Sequence, residues 1–438
     1  MSNPIYMTPG RAGMGFYSGL VNRLKDAGSN VVGIPNSGFT FADGMQTSRL
    51  SFPGVDMNEF KRSPVFVVQR LKNPFYEMPL PYVAKNLLSL ENPTEQQVRD
   101  ELEGSLGRNM RTYEFNPDGS LKDYVIAAVS RALYGDSGSE ESKTNAIIGS
   151  LTPYTQTRSP ADELDELAKI CANLSEHRDK DSPDIVAVAP YLDGRSDKNF
   201  DGELVVSRYT AKLLKLSGVN SILSWRRHSD GQSEIYKEEG IRFIDVYDRG
   251  GRAEFVNTLT DYLRGVDLLK KASKLVVVGP DQGAGNEAIA FSEDLTRKLR
   301  EEGVLAGDEA IPYTIFEKSR GGRAHHVEKM EIDEGFRDFK GDEILIYRDD
   351  MLDTTGTARR FMKLVKEQFG NEDTIMVVDH LVLSRPGLDN LRESHRLGTL
   401  AHVIAALTVQ HQGLPDWFSQ VPIGSDFVDE ISTLADQR

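Results

Sequence analysis

Short, mostly apolar runs bounded by glycine, proline or charged residues recur along the chain and alternate with amphipathic stretches. Runs without a polar face predict strands that are buried on both sides, as in a parallel sheet. They occupy residues 65–68, 185–188, 275–278, 314–316, 344–347 and 375–378. Apolar residues at helical spacing predict helices over 164–174, 205–216, 254–271, 287–301 and 358–369. This alternation predicts an α/β fold of mainly parallel sheets flanked by helices.

The alternation occurs twice, which predicts two tandem domains over residues 1–247 and 248–438. A chain of 438 residues also exceeds what one hydrophobic core usually serves. Residues 248–252, with two glycines among charged residues, are a candidate hinge between the domains. Residues from about 72 to 159 break the pattern with a charged helix at 94–106 and a Gly/Ser/Glu stretch at 135–142. We interpret them as an insertion that has a loosely ordered far end and adds an assembly or partner surface.

Composition excludes several classes of function. The 52 basic and 67 acidic side chains give a net charge of −15, which argues against a nucleic-acid or anionic-membrane surface. Cys171 is the single cysteine, so the chain has no internal disulfide and no thiolate zinc cluster. The first 30 residues lack the apolar core of a signal peptide, and no stretch approaches the roughly 20 apolar residues of a membrane span. We therefore expect a cytoplasmic protein.

The sharpest local signal is the run at 347–357, which follows the strand at 344 and precedes the helix at 358. A strand that leads through acidic residues into a small-residue turn at a helix start is a physical anion site, because backbone N–H groups and the helix dipole face a phosphate. Asp349 and Asp350 can accept the hydroxyls of a sugar. The alternative is an acidic turn in which Asp353 or Thr354 caps the helix.

This run resembles the ribose-5-phosphate loop of the type I phosphoribosyltransferases, in which two acids and two further residues precede Asp-Thr-Gly-Gly-Thr. Thr355 replaces the first glycine. Other segments resemble, in one consistent order, the ribose-phosphate pyrophosphokinases. They are the runs at 41–44, 189–198 and 275–283, His228, Lys318-x-Arg320, and the elements at 380–384 and 421–424. Glu287 occupies a position where bacterial members often carry arginine.

The resemblance implies roles for these residues. Lys318 and Arg320 would be the catalytic cations of a flexible loop that stabilise the charge on a transferring phosphoryl group. Ribose 5-phosphate would be bound by Asp281, Asp349, Asp350, Asp353, Thr354, Thr355, Gly356 and Thr357. ATP would be bound by Phe41, Asp43, Arg195, Asp197, Lys198 and His228, with Mg²⁺ near His228 and Asp281. The family further implies two phosphoribosyltransferase-like domains, ATP in the first and the sugar phosphate in the second, and a homo-oligomer.

Three functions are compatible with these motifs. The first is synthesis of 5-phosphoribosyl 1-pyrophosphate from ATP and ribose 5-phosphate. The second is a type I phosphoribosyltransferase that consumes this product, which would not need Lys318, Arg320 or a second α/β half. The third is a non-catalytic regulatory paralogue, favoured by the departures at Met45, Ser196, Glu287 and Thr355.

Overall fold

A computed structural model of the protein describes most of the chain. The described residues are 4–10, 14–36, 48–69, 79–90, 93–106, 123–135, 140–151, 160–192, 205–320, 327–331, 342–370, 373–383, 387–409, 411 and 414–436. Their helices are α1 (Met14–Asp26), α2 (Met57–Lys61), α3 (Pro79–Ser89), α4 (Glu95–Leu106), α5 (Asp123–Gly135), α6 (Glu140–Leu151), α7 (Pro160–Glu176), α8 (Val206–Leu216), α9 (Asp230–Glu238), α10 (Tyr247–Gly265), α11 (Gln282–Glu301), α12 (Gly356–Phe369), α13 (Gly387–Arg396) and α14 (Gly424–Asp436).

The strands form two parallel sheets and one hairpin. The first sheet contains β1 (Pro4–Pro9), β2 (Asn30–Gly33), β3 (Val65–Val68), β4 (Ile185–Val188), β5 (Val219–Ser224) and β6 (Arg242–Asp245), in the order β2-β1-β3-β4-β5-β6. The second contains β7 (Leu275–Gly279), β8 (Tyr313–Ile315), β11 (Ile344–Leu352), β12 (Thr374–Leu381), β13 (His402–Ala406) and β14 (Phe418–Val421), in the order β14-β13-β12-β11-β7-β8. The antiparallel hairpin pairs β9 (Glu317–Arg320) with β10 (Val327–Glu331).

The predicted α/β class with two tandem domains is confirmed, because each half has a parallel six-stranded sheet flanked by helices. All six predicted strands are present. The prediction missed β1, β2, β5, β6, β9, β10, β13 and β14. Two of these, β2 and β6, are edge strands with exposed or half-buried positions, so they lack the continuous apolar run that marks a central strand.

Residues 248–252 are not a hinge, because they lie in the first turns of α10. Asp248 is in the first turn, where a negative charge is favoured by the helix dipole. Gly251 serves close packing instead of flexibility, since a Cβ atom there would lie 2.8 Å from the Trp225 ring. The helix predicted over 254–271 correspondingly begins earlier, at Tyr247, and ends at Gly265.

The described residues of the insertion between β3 and α7 form four helices, α3 to α6. They bury a cluster of their own that includes Val83, Leu87, Leu102, Val129 and Ile147. Helix α6 packs against α3 and α5, while residues 136–139 of the Gly/Ser/Glu stretch lie outside the described residues. The described part of the insertion is therefore a small helical module with its own core.

One hydrophobic cluster joins the two halves. It contains Met7 and Val188 of the first sheet together with Val277 and Ile346 of the second. Helices α1 and α14 pack against each other, and Phe16 meets Phe427 edge to face with 5.2 Å between ring centroids. None of the fourteen helices of the described chain has both the length and the apolar character needed to cross a bilayer.

Because Phe427 is fully buried between α1 and Trp225, we expect Phe427→Ala to lower the free energy of unfolding by about 3–5 kcal/mol. Urea unfolding followed by circular dichroism measures this change. Leu216→Ala is the control, since Leu216 is 87% exposed and its truncation should change stability by less than about 0.5 kcal/mol. A loss below 1 kcal/mol for Phe427→Ala would contradict a shared core.

Candidate functional site

The candidate site lies where the second sheet changes its winding direction. The chain leaves β7 through α11 toward β8 on one side, and leaves β11 through α12 toward β12 on the other. Strands β7 and β11 are parallel neighbours, with Tyr347 paired to Val278. Their carboxyl ends therefore flank a crevice of the kind that binds ligands in open α/β sheets. Asp281 follows β7, and Asp349 and Asp350 lie near the end of β11.

The turn between β11 and α12 has the geometry of an anion site. Helix α12 begins at Gly356, and the first N–H groups of a helix have no partner within it. The N-cap is Thr355, whose side chain makes no capping hydrogen bond, so the alternative that Asp353 or Thr354 caps the helix is wrong. Thr354 and Gly356 are exposed, whereas Thr355 is buried. The turn therefore offers backbone donors to an approaching phosphate.

Thr355 adopts a left-handed backbone conformation, with φ 61° and ψ 13°, which is uncommon for a β-branched residue. Its hydroxyl lies 2.7 Å from the Thr354 carbonyl oxygen and 3.3 Å from that of Gly387. Asn390 Nδ2 donates to the Thr354 carbonyl at 2.9 Å. These contacts with α13 hold the turn in shape without the glycine that the family pattern places at this position.

The two acids at the end of β11 have opposite electrostatic environments. Burial raises the pKa of Asp349 well above its ordinary value, and the charges of Asp350 and Asp281 raise it further. Burial also raises the pKa of Asp350, but the hydrogen bond with His228 and nearby positive charges outweigh it and leave that pKa below the ordinary value. The Tyr347 hydroxyl donates to Asp349 Oδ2 at 3.1 Å. The pair therefore presents one carboxyl that resists ionisation beside one that is ionised.

Asp281 caps α11, because its carboxylate accepts a hydrogen bond from the Ala284 N–H at 3.2 Å. Its charge reaches Asp349, as the effect on the pKa of Asp349 shows. The described residues contain no group of three or more His, Cys, Asp or Glu that forms a metal cage. Mg²⁺, however, is usually held by one or two carboxylates together with substrate phosphates. A carboxylate such as that of Asp281 fits such a shared ion, whereas His228 Nδ1 is directed at Asp350.

Two loops of the first half reach this edge of the second sheet. After β5, the His228 ring bonds to Asp350, and the Arg226 carbonyl accepts a hydrogen bond from His380 Nε2 at 3.1 Å. After β4, the Tyr191 ring packs edge-on against His380, with 5.0 Å between centroids. The candidate site therefore lies between the two halves.

A buried ion cluster beside the site was missed by the sequence analysis. Arg348 donates to Asp379 at 2.8 and 2.9 Å and to Glu287 at 3.1 Å. Arg226 forms ion pairs with both Glu287 and Asp379 at 3.1 Å, and Arg252 pairs with Glu287 at 3.1 Å. The available signal was that Arg348 and Asp379 each follow an apolar run directly, inside a strand that is buried on both faces.

Several predicted residues lie outside this description. Phe41, Asp43, Arg195, Asp197 and Lys198 fall outside the described residues, and the backbone alone of Lys318 and Arg320 is described. That backbone forms β9, which follows β8, the neighbour of β7 in the sheet. The hairpin therefore leaves the sheet at the same edge as Asp281 and Asp349. The roles of these seven residues stay predictions.

No protein-family model matches the chain. It is 30% identical over 247 residues to a ribose-phosphate pyrophosphokinase of Synechococcus elongatus, which covers 56% of this chain and 64% of that protein. It is 30% identical over 237 residues to ribose-phosphate pyrophosphokinase 2, chloroplastic, of Spinacia oleracea, which covers 54% and 52%. The matched part thus spans about half to just under two thirds of these curated relatives.

Among solved structures, the crystal structure of phosphoribosylpyrophosphate synthetase from Mycobacterium smegmatis has a TM-score of 0.61, with 18% identity and 99% coverage of both chains. At this identity the likeness concerns the fold alone. Together with the sequence relatives, it confirms the resemblance to the ribose-phosphate pyrophosphokinases that the motifs indicated.

The shape of the anion turn depends on Gly387, because a Cβ atom there would overlap the Asp353 carbonyl oxygen. We expect Gly387→Ala to displace the turn, to cost about 1–3 kcal/mol of stability and to weaken binding of inorganic phosphate at least tenfold, as measured by calorimetry. Gly19→Ala is the control, since no atom lies within 4 Å of its added Cβ. Unchanged phosphate binding in Gly387→Ala would contradict the assigned turn.

The two acids should respond oppositely to neutralisation. Asp349→Asn should raise the melting temperature at pH 7.5, because the raised pKa of Asp349 means that its ionised form destabilises the fold. The gain should shrink as pH falls through that pKa. Asp350→Asn should cost about 1–2 kcal/mol at pH 7.5, because it removes the charged partner of His228, and the cost should fall only below about pH 4. Differential scanning calorimetry from pH 3.5 to 8 tests both, and shifts of the same sign would contradict this assignment.

Proposed function

We propose that this relative of the ribose-phosphate pyrophosphokinases transfers the diphosphoryl group of ATP to ribose 5-phosphate, releasing AMP. The observation that carries the proposal is the convergence of an anion turn, an acidic pair and Asp281 at one crevice, with His228 of the first half bonded into it. On this proposal residues 1–247 serve ATP and residues 248–438 serve the sugar phosphate.

The 5-phosphate would bind at the N-terminus of α12, which begins at Gly356, because the first backbone N–H groups of a helix favour an anion. The ribose hydroxyls would meet Asp349 and Asp350. A carboxyl that stays protonated can donate a hydrogen bond, while its ionised neighbour accepts one, so the pair can hold two adjacent hydroxyls in a fixed orientation.

The reaction forms a bond between the anomeric oxygen of the sugar and the β-phosphorus of ATP and breaks the bond from that phosphorus to the oxygen shared with the α-phosphorus. AMP takes the bonding electrons, and the anomeric hydroxyl loses its proton. Lys318 and Arg320, on the hairpin that leaves the same sheet edge, would neutralise the charge on the transferring group. Mg²⁺ bound to the phosphates, near Asp281, would supply further charge neutralisation.

A non-catalytic paralogue is the second candidate. Thr355 supports it, because the turn carries a side chain in a conformation that favours glycine. The bond between His228 and Asp350 supports it as well, since it engages one ring nitrogen of the histidine that the family resemblance assigns to ATP. Such a protein would bind the sugar phosphate without turnover. A phosphoribosyltransferase that consumes the product is less well supported, because it has no need for a first half that contacts the crevice.

The remaining expectations belong to the same proposal. A homo-oligomer follows from the family resemblance, and a cytoplasmic location follows from the composition of the sequence. The helical module of α3 to α6 is the candidate assembly surface, because its described helices pack mainly on one another.

Purified protein with Mg²⁺, ATP and ribose 5-phosphate should form AMP and phosphoribosyl pyrophosphate in equal amounts, followed by coupled assay and ³¹P NMR. Lys318→Ala should lower kcat about 100-fold or more, because one cation that stabilises the transferring group is lost, while calorimetry gives unchanged ribose 5-phosphate affinity. Lys363→Ala, a 73% exposed lysine on α12, is the control with unchanged turnover.

Each alternative has its own signature in this experiment. Binding of ribose 5-phosphate without AMP formation would favour the paralogue. Release of pyrophosphate that depends on a nucleobase and not on ATP would favour the phosphoribosyltransferase.

A further inference from the structure

Arg226 is a residue of the first half whose contacts lie mostly in the second. It follows β5, and its guanidinium pairs with Glu287 of α11 and Asp379 of β12, both at 3.1 Å. The guanidinium also lies over the Tyr247 ring, 4.8 Å from its centroid. With the bond from His380 to its carbonyl, both main chain and side chain of Arg226 are fixed to the second half.

The backbone at Arg226 is strained. Its φ of 42° lies in the left-handed region, which costs a non-glycine residue of order 1–3 kcal/mol and persists only where the surroundings enforce it. The enforcing contacts are the two ion pairs and the His380 bond. Without them the loop after β5 would relax toward an ordinary conformation.

The position of His228 depends on this loop. His228 lies two residues beyond Arg226, and its ring bonds to Asp350 at the end of β11. Between them, the backbone N–H and guanidinium of Arg227 bond to Asp245 of the first half at 2.9 and 3.0 Å, and the guanidinium also pairs with Asp248 at the start of α10. Arg226 therefore fixes the position at which the loop after β5 reaches the second half, where the proposed sugar-phosphate site lies.

We propose that Arg226 is a positioning residue that holds the loop of His228 against the second half and so sets the approach of the nucleotide to the sugar phosphate. The inference rests on the proposed function for its catalytic consequence. Its ion pairs are made with Glu287 and Asp379, and Asp379 lies on the face of the sheet opposite Asp349. Its charge also lowers the pKa of Asp350. Its bonded partners, however, are Glu287, Asp379 and His380, so its role is one of positioning through the loop.

The chain offers a matched control. Arg178 of the first half is also partly buried and bonds three backbone carbonyls, those of Phe60, Ser63 and Pro183, at 2.7–2.8 Å. These contacts lie within the first half. Arg178→Met should therefore lower the free energy of unfolding as Arg226→Met does, without changing the position of the loop after β5.

We expect Arg226→Met to lower kcat about 100-fold, because a small displacement of a reacting group is enough for such a loss. Affinity for ribose 5-phosphate, measured by calorimetry, should stay within twofold, since the sugar site lies in the second half. Hydrogen exchange of residues 225–228 should be at least tenfold faster than in wild type. Arg226→Lys, which keeps the charge but loses the planar fork, should recover part of kcat. Arg178→Met should match wild type in kcat and in exchange at 225–228.

The outcomes separate the two proposals. Wild-type protein that forms no AMP would defeat the proposed function and, with it, the catalytic consequence of Arg226. Active wild type with an Arg226→Met kcat within threefold, or with exchange at 225–228 like that of Arg178→Met, would overturn the inference about Arg226 alone. A parallel fall in ribose 5-phosphate affinity would also overturn it, because the residue would then act on the sugar site.

Discussion

The structure depends on a cluster of charges buried between its two halves. Arg348 and Asp379 are fully buried, and Glu287 is nearly so. Burial alone would raise the pKa of Glu287, but Arg348 and Arg226 outweigh it and leave that pKa below its ordinary value. Because an unpaired charge in such a place is very costly, every partner must be present together. This requirement fixes the loop after β5, helices α10 and α11, and strands β11 and β12 relative to one another. The apolar cluster around them supplies the driving force for folding but does not by itself fix these relative positions.

Strand β11 connects this cluster to the candidate site. Side chains alternate across a strand, so Arg348 faces α10 and α11 while Asp349 faces the opposite side. Arg348 Nη1 donates to the Asp349 carbonyl at 2.6 Å, which fixes the backbone that presents both acids. The two sides differ in charge balance. The cluster pairs its cations with anions, whereas on the side of the site burial and the charges of Asp350 and Asp281 raise the pKa of Asp349. Carboxyls whose pKa is perturbed in this way are concentrated at sites that bind ligands.

Sequence patterns predicted the features that follow from local chemistry. Central strands such as β4 and β12 were found because both faces are apolar, and the turn at 353–357 was found because a helix start after a strand is a recognisable anion site. The central strands β1, β5 and β13 were missed although they are almost fully buried. The edge strands β2 and β6 and the ion cluster were missed because their stability comes from residues distant in the chain. The expected hinge at 248–252 failed for the same reason: its glycines permit contact with Trp225 and do not indicate a flexible link. The reversal at Glu287 is explained only by its three arginine partners.

Thr355 shows how a site can depart from a motif and keep its geometry. A glycine reaches φ near +60° without strain, whereas threonine must be held there. Here contacts with α13 hold Thr355 in this conformation. Its first residue, Gly387, has no side chain and so lets the helix approach the Asp353 carbonyl, and its carbonyl accepts from the Thr355 hydroxyl. The family pattern reaches this conformation with a glycine inside the turn. Here a glycine outside the turn, Gly387, allows the close approach of α13 that holds Thr355 in the same conformation. Comparison of motifs letter by letter misses this exchange, because the compensating glycine lies more than thirty residues away.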